Sequence, residues 1–194
     1  MFNLLIDKLP NKVEIGGNEY EINSDFRCSL LFEMMINDRS LENEEKIKST
    51  LDLYYYPQII PKEHINEAIE KALWFYTCDK EKKQSKGKGK NSKKLIYSFE
   101  DDMDYIFSAF LHDYSIDLNE VEYLHWFKFK ALFKALNSEN EFVKIMGYRA
   151  MDLSKIKDKD QKKYYKEMQE LYKIEETLTE EEKEDKERWI ELLK

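Results

Sequence analysis

The residues able to do chemistry in this chain are three histidines, two cysteines and one run of acids. His125 stands in "YLHWFKFKALFKAL", residues 123–136, beside Trp126, Phe127 and Phe129. An imidazole there could act as a general acid or base, and rings among lysines could stack on nucleic-acid bases. Glu100, Asp101, Asp102 and Asp104 could share a divalent cation. A cation site needs ligands converging on one point, however, and these four acids fall in the first turn of a helix, where carboxylates stabilise the positive end of the dipole. His125 falls inside an apolar arc beside Phe129 and Leu132 and reads as a hydrogen-bonded core histidine, while His64 and His112 belong to other helices. Cys28 and Cys78 sit in apolar helical patterns and read as core thiols rather than as a disulfide or a metal pair. Nucleotide-binding glycine loops, CxxC pairs, HExxH and GxSxG are all missing. The expectation is a protein that is not an enzyme, with no cofactor, no metal site and no catalytic residue.

The elements that carry these residues are mostly helical. With 37% charged residues, 42% hydrophobic residues, 5 Gly and 3 Pro in 194 residues, the composition favours a soluble helix-rich chain. "KVEIGGNEYEI" alternates apolar and polar residues about Gly16-Gly17 and predicts a short β-hairpin. A helix capped by Ser24 or Asp25 follows, apolar on nearly every side through Phe26, Leu30, Leu31, Phe32, Met34, Met35 and Ile36, as suits the middle of a bundle. A second helix ends near Pro57. A third opens after Pro61, with Ile65, Ala68, Ile69, Ala72, Leu73 and Tyr76 on one face and Trp74 off it. Ser98 and Asp101 make a box-like start for a fourth, striped by Phe99, Met103, Ile106, Phe107, Phe110 and Tyr114. The fold class is mainly α: a multi-helix bundle after an N-terminal hairpin, with peripheral charged C-terminal helices. Its parts are 1–24 with the hairpin, a first helical half 25–78, a Lys-rich loop 79–94, a second half 95–157 of the same domain, and charged helices over 158–194.

Residues 123–136 have more aromatic surface than one core face needs. Asp117 and Glu120 give a box-like start, and at about 100° per residue Val121, Leu124, Ala131, Leu132, Ala135 and Leu136 face one way, widened by Trp126, Phe129 and Phe133. Tyr123, Phe127, Lys130 and Lys134, at spacings of four, three and four, form a separate outward stripe. Rings next to lysines suit a docking surface for a protein partner, the alternative being a stripe covered within the monomer. Trp74 and Trp189 are further docking candidates. A capped helix from Ser138 to near Gly147 follows, then one with a thin stripe of Tyr164, Met168, Leu171 and Tyr172, then an apolar end at Trp189, Ile190, Leu192 and Leu193.

The net charge of −8 hides an asymmetry, because residues 79–94 carry 8 Lys against Asp79 and Glu81. Such a Lys/Gly/Ser run reads as a disordered loop. It also supports the rival function, a nucleic-acid-associated module, although the acidic remainder repels nucleic acid and the run has no ring to stack on bases. The opening apolar run, stopped by Asp7, is too short for a signal peptide, so a cytoplasmic location is expected.

"DFR" after the hairpin, "AIEKALWFYTC", "YSFEDDMDYIFSAFLHDYSIDL", "YLHWFKFKALFKAL" and "IMGYRAMDLSKI", in that order, resemble the phage "gene product fifteen" family. The resemblance runs from about residue 10 to about residue 175, and is most specific over 97–156; where the family pattern usually has a second tryptophan this chain has Phe127. It implies a tail assembly chaperone of long-tailed phages, one that holds the tape-measure protein soluble while tail-tube subunits assemble around it and is then displaced. It implies residence in the host cytoplasm rather than in the mature virion. The tape-measure protein is the implied partner, with the tail-tube protein, a second tail assembly chaperone product and a further copy of the chain as additional partners. No catalytic residues come with the family.

Overall fold

The computed structural model of the chain describes residues 3–79 and 95–174. The described chain divides into two compact units, one of residues 3–79 and 123–128, the other of 95–122 and 129–174. The expected Lys-rich loop, from residue 80 on, and the helix ending in Trp189 lie outside the described residues.

In the first unit β1 (Lys12–Ile15) pairs antiparallel with β2 (Asn18–Glu21), Val13 opposite Tyr20 and Ile15 opposite Asn18. The turn falls on Gly16 and Gly17, at φ 57° and 76°, a two-residue reversal that side chains with a Cβ resist. Pleating sends Val13 and Ile15 into the core. Helix α1 (Phe26–Asn37) starts on Asp25, whose carboxylate accepts from the Arg27 N–H at 3.0 Å. Helix α2 (Asn43–Tyr55) starts on a capping box in which the Glu42 N–H donates to Glu45 Oε2 at 3.0 Å. A 3-10 turn (Lys62–His64) leads into α3 (Ile65–Thr77), which Cys78 ends in the left-handed conformation at φ 57°. Phe32, Tyr54, Tyr55, Ala68, Ala72, Phe75 and Trp126 are fully buried or nearly so. The buried hydroxyls are satisfied: Tyr54 bonds to Ser29 at 3.0 Å, and Tyr55 donates to the Ala68 carbonyl at 2.8 Å.

Two expectations fail here. Helix α1 is not buried all round: Phe26, Cys28, Ser29 and Phe32 face inward, whereas Leu31 and Ile36 are 52% and 43% exposed. On α3 the inward stripe is Ala68, Ala72 and Phe75, and Leu73 is exposed. Periodicity admits several rotations of a helix this apolar; only the packed neighbours select one.

The second unit holds α4 (Met103–Tyr114), the later turns of α5 (Trp126–Lys134), α6 (Glu141–Ala150) and α7 (Lys159–Leu171). Phe99, Phe110, Phe129, Phe133 and Phe142 form its aromatic core, with Phe110 stacked on Phe129 at 4.9 Å between centroids. Of the expected α4 stripe, Ile106 and Phe110 are buried but Met103 is exposed. Helix α6 does not stop near Gly147: it runs on to Ala150 from an Asn140 N-cap, because a lone glycine costs a helix only about 1 kcal/mol against alanine. The thin stripe on α7 is shared: Tyr165, Met168 and Tyr172 are half-buried, Tyr148 of α6 stacks on Tyr172 at 6.1 Å, and Tyr164 and Leu171 remain exposed. Seven α-helices and one hairpin among the described residues make the fold mainly α. None of these helices is long and apolar enough to cross a membrane.

Candidate docking surface

Residues 123–136 do not form one helix. The Asp117 carboxylate accepts from the N–H groups of Asn119 and Glu120, at 2.8 and 3.2 Å, and so caps a turn that does not propagate. Leu124 and His125 are extended and pair with the start of α1: the Phe26 N–H donates to the Leu124 carbonyl at 2.9 Å, and the Trp126 N–H to the Ser24 carbonyl at 2.8 Å. Helix α5 begins only at Trp126.

This removes the geometric basis of the outward stripe. Tyr123, ahead of the helix, is 54% exposed and its hydroxyl meets Ser24 Oγ at 2.7 Å. Phe127 is only 3% exposed, packed at 5.1 Å from Phe75 and 6.4 Å from Trp74 between ring centroids. It is a core side chain, not an outward one. Lys130 is half-buried and Lys134 exposed. Trp74 is half-buried, and its indole N–H donates to Asp79 Oδ1 at 2.9 Å. Trp189 lies outside the described residues. Of the six docking candidates, Tyr123 and Lys134 are the exposed ones among the described residues, and Phe127 is buried.

His125 is the hydrogen-bonded core histidine expected. It is 2% exposed and lies beside Phe75, Phe127 and Tyr123. Nε2 donates to the Pro10 carbonyl at 3.0 Å, and Nδ1 accepts from the Phe127 N–H at 3.0 Å. Both ring nitrogens are thus committed to backbone in one neutral tautomer. Burial, as the largest cause, holds the pKa of His125 below its ordinary value. The Cys28 thiol is pushed up to about 12, chiefly by burial, so this cysteine is an inert core group. Among the described residues no three potential ligands gather around a point that could hold a metal ion.

The acid run divides. Ser98 Oγ accepts from the N–H groups of Glu100 and Asp101 at 3.2 and 3.1 Å, but the turn it caps lies ahead of α4, which starts only after Asp102, so of the four acids Asp104 alone falls in the first turn of the helix. Asp102 behaves differently: it is 1% exposed and holds Arg149 in a two-pronged ion pair at 2.6 and 2.9 Å. Arg149 also donates to the carbonyls of Tyr172 at 2.6 Å and Ile96 at 3.3 Å. Sequence reasoning missed this pair. A signal was present, since the chain uses 4 Arg among its 32 basic residues, and an arginine kept inside an apolar helix marks a place needing a planar fork of donors.

What the first unit offers a partner is apolar side chains on ordered elements. Leu31 and Ile36 of α1 and Ile47 of α2 are 52%, 43% and 42% exposed. The two helices contact each other, and Lys46 Nζ donates to the Ile36 carbonyl at 2.9 Å, which places Ile36 beside the start of α2.

No curated protein and no solved structure matches the chain. A family model described as Bacteriophage Gp15 protein matches residues 5–174, a span that takes in every described element of both units. On that match the chain belongs to the Bacteriophage Gp15 protein family.

Proposed function

We propose that this phage protein is a tail assembly chaperone: it binds the tape-measure protein and keeps it soluble during tail-tube assembly, without catalysis. The observation that carries the reading is the exposure of Leu31, Ile36 and Ile47 on well-formed helices, which gives an amphipathic helical client apolar area to bury. A net charge of −8 helps keep such a complex in solution. His125, the residue on which a catalytic reading would turn, spends both ring nitrogens on backbone partners. The same reading places the protein in the host cytoplasm and outside the finished virion.

Co-expression with the neighbouring tape-measure gene tests it. The tape-measure protein is expected in the soluble fraction, co-purifying with this chain, and insoluble without it. A tape-measure protein equally insoluble in both cases would overturn the reading.

A further inference from the structure

The connection from α2 to the 3-10 turn presents Tyr56 and Ile59 at 80% and 89% exposure. Single exposed apolar residues are ordinary. These two differ because the backbone carrying them is fixed. The Gln58 N–H donates to the Tyr55 carbonyl at 2.7 Å, and its carboxamide pairs with β2: Nε2 donates to the Glu21 carbonyl at 2.8 Å, and Oε1 accepts from the Glu21 N–H at 2.9 Å. Gln58 thereby occupies the open edge of β2 as a further strand residue would. Two large side chains are held in water by a loop already ordered, so burying them against a partner carries little further entropy cost.

The strand beside this loop is acidic on its outward face. Since Val13 and Ile15 point to the core, the pleat turns Lys12 and Glu14 outward, and the register places Glu21 and Glu19 opposite them. Three carboxylates thus face solvent with one ammonium, and that ammonium already pairs with Glu19 at 3.1 Å. Nucleic acid and anionic lipid are repelled by such a face, and a second copy brings the same sign of charge.

We propose that the Tyr56 to Ile59 loop and the outward face of the hairpin form one docking surface for a basic amphipathic helix of a protein partner. Its aliphatic side chains cover Tyr56 and Ile59, and its lysines or arginines face Glu14, Glu19 and Glu21. The inference deepens the client-binding reading above and rests on it for the partner's identity.

The full chain is titrated against a labelled synthetic Lys/Leu amphipathic peptide and against a Glu/Leu peptide of the same apolar pattern. Binding of the Lys/Leu peptide alone is expected. The double change Tyr56→Ser and Ile59→Ser should weaken it roughly ten- to hundredfold, as truncation of interface anchors does. Ile59→Ser alone, a site with no hydrogen-bonded side chain, should weaken it in the same direction. Glu14→Gln with Glu19→Gln should weaken it and flatten its salt dependence. Equal binding of both peptides, no binding of the Lys/Leu peptide, or variants that bind like the wild type would each overturn the proposal. Pull-down of co-expressed tape-measure protein separates the two readings. If wild type and double variant retain it equally, this surface is refuted and the chaperone reading stands. If the wild type binds the Lys/Leu peptide but no tape-measure fragment, the surface stands and the chaperone reading fails.

Discussion

His125 and the Asp102–Arg149 pair are the residues whose chemistry the fold has spent on itself. For His125 the sign follows from burial: the folded protein favours the neutral ring, so the folded pKa lies below the ordinary 6.5 of the unfolded chain. Its contribution to stability is fully present above that unfolded value and is lost as pH falls through the folded pKa. Thermal melts from pH 8 down to about pH 5 should therefore show the wild type losing stability faster than His125→Gln, whose amide does not titrate. At neutral pH the variant should be less stable by about 1 to 3 kcal/mol through imperfect packing, and the client binding proposed above should survive wherever it folds. Parallel melting curves for the two proteins would contradict this account. For the ion pair, Asp102→Ala strands a buried guanidinium at 6% exposure and should cost about 3 to 5 kcal/mol. Asp102→Leu with Arg149→Met should cost clearly less than that, because no charge is then left unpaired. Denaturant midpoints of the two variants measure the difference.

At the scale of elements, Tyr123 and Phe127 separate two roles that helical spacing had joined. Phe127, buried against Phe75 and Trp74, should cost about 3 to 5 kcal/mol when changed to alanine, as large core truncations do. Tyr123→Ala, removing an exposed ring and one hydroxyl contact to Ser24, should cost about 1 kcal/mol. A melting temperature unmoved by Phe127→Ala would restore the outward stripe. The reason for the split is the local start of α5. Leu124 and His125 are extended where they pair with the start of α1, and extended and helical backbone occupy different φ/ψ regions, so α5 begins only at Trp126 and Tyr123 is left outside it.

For the whole molecule, charge decides the class of partner more firmly than any one motif. A chain of net charge −8 presents a repulsive field to phosphates, and the lysines of residues 79–94 act against it only over a short span. Binding to a short DNA duplex should be undetectable at about 150 mM salt, because counterion release is the main source of non-specific affinity and falls steeply with ionic strength. A gel shift at that salt, abolished on deleting residues 80–94, would instead support the nucleic-acid rival.

Helix class, the hairpin and most helix starts follow from local chemistry. Gly16-Gly17 accepts positive φ, Asp25 caps α1, and Pro57 stops α2, so these were legible in the residues. The phage family was legible too, in the order of its aromatic segments over 97–156. Which face of each element is buried was not. Phe127 and Phe75 went inward and Leu31, Leu73 and Met103 outward, because an apolar helix offers several faces of similar transfer free energy, and only the shape of its neighbours breaks the tie. Asp102 reads as one of four equivalent acids until Arg149, 47 residues away, makes it a buried ion pair. Tyr56 and Ile59 likewise look like ordinary residues around a proline until Gln58 bonds to the hairpin and holds them in water. Those choices depend on contacts between segments far apart in the chain, and only the tertiary structure brings such segments together.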